Sequence, residues 1–178
     1  MGTIGSAKRA DSINSVIVRD MARTLLTTWG DYLAAADALL ARCAHSICVF
    51  DGDLANLHWE NPQRLALLTT LLSTQNEAPL RVVLRDSRHF LVEAPRIYQT
   101  LQTWSHRAQI RQTSRALSEL RDAILIVDRQ NALIRFEKTL PRSVLIENSP
   151  EEVLPYQQRF DEIWQESGKN LLQTSLGL

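Results

Sequence analysis

The side chains of this sequence that could do chemistry fall into three groups. The first is an acidic pair, Asp51 and Asp53, set either side of Gly52 directly after the apolar run 46–50. Carboxylates are the residue type of acid–base work, nucleophilic attack and magnesium binding. A polar turn is the plainer reading, because Asp and Gly favour turns for backbone reasons. The second is His89, beside Arg88 in RDSRHF, just past the apolar run 80–85. Loops beyond strand ends are where open α/β sheets build their sites, although a solvated loop is the plainer reading of these residues. The remaining histidines, His45, His58 and His106, lie at no metal-ligand spacing, and Cys43 and Cys48 add no ligand pair. No metal and no cofactor is therefore expected, and no Ser-His-Asp or Cys-His set can be assembled.

The third group is arginine. Residues 81–142 hold twelve basic residues against six acidic, whereas residues 147–166 hold six acidic against one basic. Arg107, Arg111, Arg115, Arg121, Arg129 and Arg135 are spaced to line one anion-binding surface, since arginine contacts phosphate in bidentate fashion. The competing readings are that these arginines pair with neighbouring acids and cover apolar surface with their stems, or that the basic middle meets the acidic end within the fold or across a dimer. No basic stripe interleaves with aromatics, so a single-stranded nucleic-acid platform has little support.

Periodicity supplies the elements that must position these groups. Apolar spacing predicts a loose helix over 19–28 and a firm one over 31–44, separated by Gly30. Strands are expected at 46–50, 80–85, 108–113 and 142–147. Asn61-Pro62 starts a helix reaching about residue 75, and Pro95 starts another ending near 107. RDAILIVDRQNALIRF (121–136) reads as two apolar strands joined over 128–131. Ser149 and Glu152 fit a capping box, and Pro155 is expected to break the last helix, whose inward face is Tyr156, Phe160, Ile163 and Trp164.

That hairpin overlays the signature of the phospholipase D superfamily, H-x-K-x-x-x-x-D followed by Gly-Ser. Here Arg121 stands at the histidine position, Ala123 at the lysine position, and Arg135 and Phe136 at the Gly-Ser position; Asp128 alone is kept. The order of elements over residues 31–166, closing on FDEIW, resembles one half of a phospholipase D-like protein. It is similar to a catalytically degenerate branch of proteobacteria whose members sometimes follow an acetyltransferase domain. The resemblance implies a homodimer across the former active-site face and a structural Asp128. It also implies lost phosphodiesterase chemistry, because an always-protonated arginine cannot replace the neutral nucleophile. Separately, VFDGDL resembles the D-x-D motif of haloacid dehalogenase-like phosphatases. That motif would make Asp51 a nucleophile and Asp53 a general acid/base beside magnesium. The helix start at Asn61-Pro62 follows too soon for that family's flap, and no later Asp pair is found.

A chain of 178 residues, 44% hydrophobic and 22% charged, suits one globular domain. Its 20 basic and 20 acidic residues leave no global field for nucleic acid or lipid. No window nears the roughly 18 apolar residues of a membrane span. The expectation is a cytoplasmic α/β domain at 19–168, with a flexible lead-in at 1–18 and a tail at 169–178. A mixed sheet would carry helices on both faces, as in a phospholipase D-like half. Its expected role is a noncatalytic binding or assembly module with a protein partner or a phosphate-bearing ligand. Arg121, Arg135, Arg111, Arg88 and His89 are the candidate anion contacts. The alternative is a magnesium-dependent phosphohydrolase using Asp51 and Asp53.

Overall fold

The computed structural model describes residues 23–74 and 79–172. Its apolar runs form one seven-stranded sheet in the order β1 (Arg23–Leu26), β7 (Ser143–Ile146), β6 (Asn131–Arg135), β5 (Ala123–Val127), β2 (Ile47–Asp51), β3 (Leu80–Leu84) and β4 (Ala108–Gln112). Strands β2, β3 and β4 run parallel, and the other pairings are antiparallel. Parallel neighbours need crossovers, and α2 (Pro62–Thr74) and α4 (Pro95–Thr103) provide them. Helix α1 (Trp29–Arg42) leads from β1 into β2, the short α3 (Arg88–Val92) follows β3, and α5 (Pro150–Glu166) follows β7.

Alternation along the strands divides the core in two. Ile47, Val49, Val82, Leu84 and Leu125 face one way, against Leu39, Leu72 and Leu101 of α1, α2 and α4. Cys48, Phe50, Val83, Ile124, Ile126 and Ile134 face the other way, against Val153, Phe160 and Ile163 of α5. This is the mixed α/β sheet with helices on both faces that the sequence predicts. Both cysteines are free thiols. Among the described residues no helix is long and apolar enough to cross a membrane.

Four local expectations are corrected. The described part of the helix expected over 19–28 contains strand β1, whose residues pair with β7 from Arg23↔Ile146 to Leu26↔Ser143. Gly30 does not divide a helix. It sits in the first turn of α1, where Thr28 is the N-cap and its hydroxyl accepts from the Asp31 amide. Pro155 does not break α5, which runs unbroken from Pro150 to Glu166. The proline is exposed, so the carbonyl it leaves unpaired can turn to water. Ser149 caps α5 through its carbonyl, bonded by the Glu152 and Val153 amides, and makes no side-chain capping bond. Asn61, by contrast, caps α2 as expected, accepting from the Gln63 amide at 2.9 Å.

The lead-in expected over 1–18 lies outside the described residues, as do residues 173–178. Residues 168–172 dock along the edge of β4. Gly168 and Leu171 donate to the Gln112 and Ile110 carbonyls, the Asn170 side chain accepts from the Ile110 amide, and Leu172 enters the core.

Asp128 closes the opposite end of the hairpin from Arg121. It has a left-handed backbone (φ 55°), and its carboxylate accepts from the amides of Ala44, His45 and Ser46 at 2.8–2.9 Å. This cage ties the turn after β5 to the connection between α1 and β2. Burial tends to raise the Asp128 pKa, but the amides outweigh it and the net shift is downward. A depressed folded pKa means stability that is present above the unfolded value and lost as pH falls through the folded one. Urea unfolding of Asp128→Ala is therefore expected to show a loss of about 2 kcal/mol at neutral pH. Between the wild type and Asp128→Ala the difference should shrink below about pH 4. A loss that stayed constant from pH 7 to pH 2 would rule out the carboxylate cage as its source.

Candidate functional site at the strand ends

The parallel strands β2 and β3 end at the same edge of the sheet where β5 begins and β6 finishes. Asp51 is the last residue of β2, one step past the Phe50↔Ile124 pair, which places it opposite Ala123. Ala123 in turn pairs with Arg135, the last residue of β6. All three side chains therefore leave the sheet on the α1 face, with the smallest in the middle. The Arg135 guanidinium reaches across Ala123, and its Nη2 donates to Asp51 Oδ1 at 2.9 Å. Both side chains are only 1% exposed.

The remaining bonds fix this pair from each side. Asp51 Oδ2 accepts from the Leu54 amide at 2.9 Å and the Asp53 amide at 3.3 Å. Arg135 Nη1 donates to the Lys138 carbonyl at 2.6 Å and the Glu137 carbonyl at 3.3 Å. The guanidinium lies 5.3 Å from the Trp29 ring and 5.5 Å from that of Tyr32, within cation–π range. Burial, and then the Asp51 charge, push the Tyr32 phenol up to about 12, so it stays neutral at physiological pH.

The other expected contacts do not converge with this pair. Arg121 is 69% exposed and pairs with Glu137 at 3.0 Å. Arg111 projects to the opposite face, where its guanidinium stacks 4.0 Å from the Trp164 ring and donates to the Trp164 carbonyl. Arg88 is held by Asp86 in a bidentate pair, which draws the Asp86 pKa down to about 2. His89 sits 3.3 Å from Glu93, on the wall of a separate 430 Å³ cavity with His58, Trp59 and Arg64. Phe136, beside Arg135 at the Gly-Ser position, is 48% exposed. Asp53 accepts from the Ala55 amide, as a turn residue does. No three His, Cys, Asp or Glu side chains among the described residues are placed to hold a metal ion.

Residues that sequence reasoning passed over complete this end of the sheet. Arg85, just past β3, lays its guanidinium 5.0 Å from the Phe50 ring, and its Nη1 donates to the Asp122 carbonyl at 2.5 Å. With Gly52, Asp53 and Lys138 it walls a 380 Å³ cavity whose floor includes Arg135. The position of Arg85, in LRVVLR after an apolar strand, was the available signal.

Removing one partner of a buried ion pair strands the other charge, which typically costs about 3–5 kcal/mol, whereas an apolar replacement of both is often neutral. Asp51→Leu and Arg135→Leu are each expected to lower the urea-unfolding free energy by about that amount. The double variant should lose much less than the sum, since the two side chains are in contact. Additive losses would show that the pair does not act as a unit.

Solved structures that share this fold include TrmBL2, described as an archaeal chromatin protein with a novel mode of DNA binding. It matches with a TM-score of 0.62 and 11% identity, over 91% of this chain and 62% of its own. NucT from Helicobacter pylori matches with a TM-score of 0.57 and 10% identity, over 83% and 98%. Nuc from Salmonella typhimurium, a phospholipase D family member, matches with 0.52 and 14%, over 83% and 97%. The chain thus spans under two thirds of TrmBL2 and nearly all of the other two. These likenesses establish a phospholipase D-like fold. No curated protein matches the sequence. Over residues 28–172 the sequence matches the domain of unknown function DUF7931, and the chain belongs to that family.

Proposed function

We propose that this domain is a noncatalytic phospholipase D-like module that binds a phosphate-bearing ligand or partner and assembles as a homodimer. One observation carries the reading: the Arg135 guanidinium, locked to Asp51, fills the space over Ala123. In the family resemblance that space belongs to the lysine that clamps phosphate. The histidine position offers nothing in its place. Arg121 lies in solvent, is paired with Glu137, and carries a guanidinium, which is no nucleophile. The phosphohydrolase reading fares no better, because both Asp51 oxygens are already engaged in a buried site and cannot approach a phosphorus atom.

Dimerisation across this face agrees with the exposure of Phe136 and Leu140 on the turn between β6 and β7, close in sequence to the Arg135 anchor. Scattered apolar residues are common on surfaces, so assembly must be measured. TrmBL2 binds DNA by its description. The present chain, with a net charge of zero, lacks the uniform basic field that nonspecific DNA binding uses.

Two measurements test the proposal. Turnover of bis-p-nitrophenyl phosphate, with and without magnesium, is expected to stay at the blank rate. Activity lost in Arg121→Ala or Asp51→Asn would overturn the noncatalytic reading. Light scattering is expected to give twice the 20.2 kDa chain mass, shifting towards one chain in Phe136→Asp/Leu140→Asp. A wild type that remains a single chain at high concentration would remove the dimer from the proposal.

A further inference from the structure

The cavity beside the Asp51–Arg135 pair holds more positive charge than its own carboxylates take up. Arg85 makes no ion pair among the described residues; an aromatic ring and one carbonyl hold it. The Lys138 ammonium likewise makes no ion pair among the described residues, and Thr139 and Asn56 line the same 380 Å³ space. Of the acids at this end, Asp86 is paired with Arg88 and Asp51 with Arg135, which leaves Asp53, bonded by the Ala55 amide, as the carboxylate of the cavity wall without an ion pair among the described residues. Gly52 keeps the wall open: a Cβ there would stand 3.3 Å from Arg85 Nη2.

We propose that this cavity binds the phosphate group of a small phosphate monoester, with Arg85 and Lys138 as its two cations. The proposal rests on the binding reading above and names the ligand class of that face. Arg85 and Lys138, set against the one carboxylate of Asp53, leave the cavity a positive excess that an anion can meet. A guanidinium fixed before the ligand arrives loses little freedom on binding it. The hydroxyl of Thr139 and the amide of Asn56 offer further donors to phosphate oxygens. The volume accommodates a phosphate and a small organic group. A space of 380 Å³ holds one phosphate with a small organic group and not a run of polymer backbone, which favours a monoester over nucleic acid.

Isothermal titration of the full chain with phenyl phosphate tests this directly. Saturable binding is expected, weakened about tenfold or more in Lys138→Met and in Arg85→Met. Arg96→Met, an exposed change on α4 outside the cavity, should leave it unaltered. Lys138 is exposed, so Lys138→Met keeps the test valid even if Arg85→Met fails to fold. Absence of saturable binding, or equal affinity in Lys138→Met, would overturn the site while leaving the noncatalytic reading intact. Release of phenol and inorganic phosphate during the titration would overturn the noncatalytic reading instead, with the site upheld by the variant series. Tighter binding of short single-stranded DNA through the same two residues would overturn the choice of a monoester.

Discussion

The buried bridge from Arg135 over Ala123 to Asp51 is the constraint on which this end of the molecule depends. Two charges at 1% exposure have given up nearly all their hydration, and their attraction offsets that only if the remaining donors and acceptors are also met. The surrounding structure meets them almost completely. The loop after β2 folds back so that the Leu54 and Asp53 amides reach one carboxylate oxygen. The turn after β6 curls so that two carbonyls reach one guanidinium nitrogen. Helix α1 starts where Trp29 and Tyr32 can cover the cation. Two loops and a helix start are thus set by one ion pair, and the pair fits only because residue 123 has no side chain beyond Cβ.

The same bridge determines the electrostatics of its neighbour. Burial lowers the Arg85 pKa and the Arg135 charge lowers it further, while Asp51, Asp122 and Asp53 act in the opposite sense. Asp51 therefore serves two guanidinium groups, one through a hydrogen bond and one through the field alone. Arg85 feels three carboxylates through the field but is paired with none of them, and its Nη2 makes no hydrogen bond among the described residues. On the proposed reading, an incoming anion meets a donor that the protein has already oriented. The apolar Phe50 ring under Arg85 holds that donor in place without cancelling its charge, which a carboxylate partner would do.

The sequence made the layers of the fold legible and left most of this site hidden. Alternation and apolar runs placed β2 to β7, because strand faces are written locally at a period of two. Strand β1 was not legible: RTLL has no alternating pattern, and its pairing with residues 143–146 is a tertiary fact. Pro155 misled because a local rule was applied to a position whose solvent exposure only the fold reveals. That Arg121 and Ala123 stand where the resemblance would put histidine and lysine could be read directly, but the bridge over Ala123 could not. Asp51 and Arg135 are 84 positions apart, and nothing in either segment signals that the other will cover Ala123. The arginine surplus was visible as a count, yet its assignment needed contacts. Arg81 pairs with Asp161 of the acidic C-terminal stretch, while Arg88 and Arg121 pair with neighbouring acids, Asp86 and Glu137, so part of the surplus is met within the fold.

The two ends of β5 carry different constraints, which on the proposed reading is why Asp128 alone matches the resembled motif. At the far end Asp128 satisfies three backbone amides in a turn whose left-handed residue short polar side chains tolerate. No other side chain of that length carries two full acceptor oxygens, so the position is held by folding whatever happens to the chemistry. At the near end, a catalytic histidine and lysine would answer to substrate alone, and without that demand the space is open to whatever packs. On that reading, alanine in place of lysine would leave a void beside a buried aspartate, and both are unfavourable by themselves. An arginine entering from the adjacent strand resolves both at once, filling the volume and pairing the charge. On the proposed reading, the former active site has become part of the core, and the binding surface has moved one strand over to Arg85.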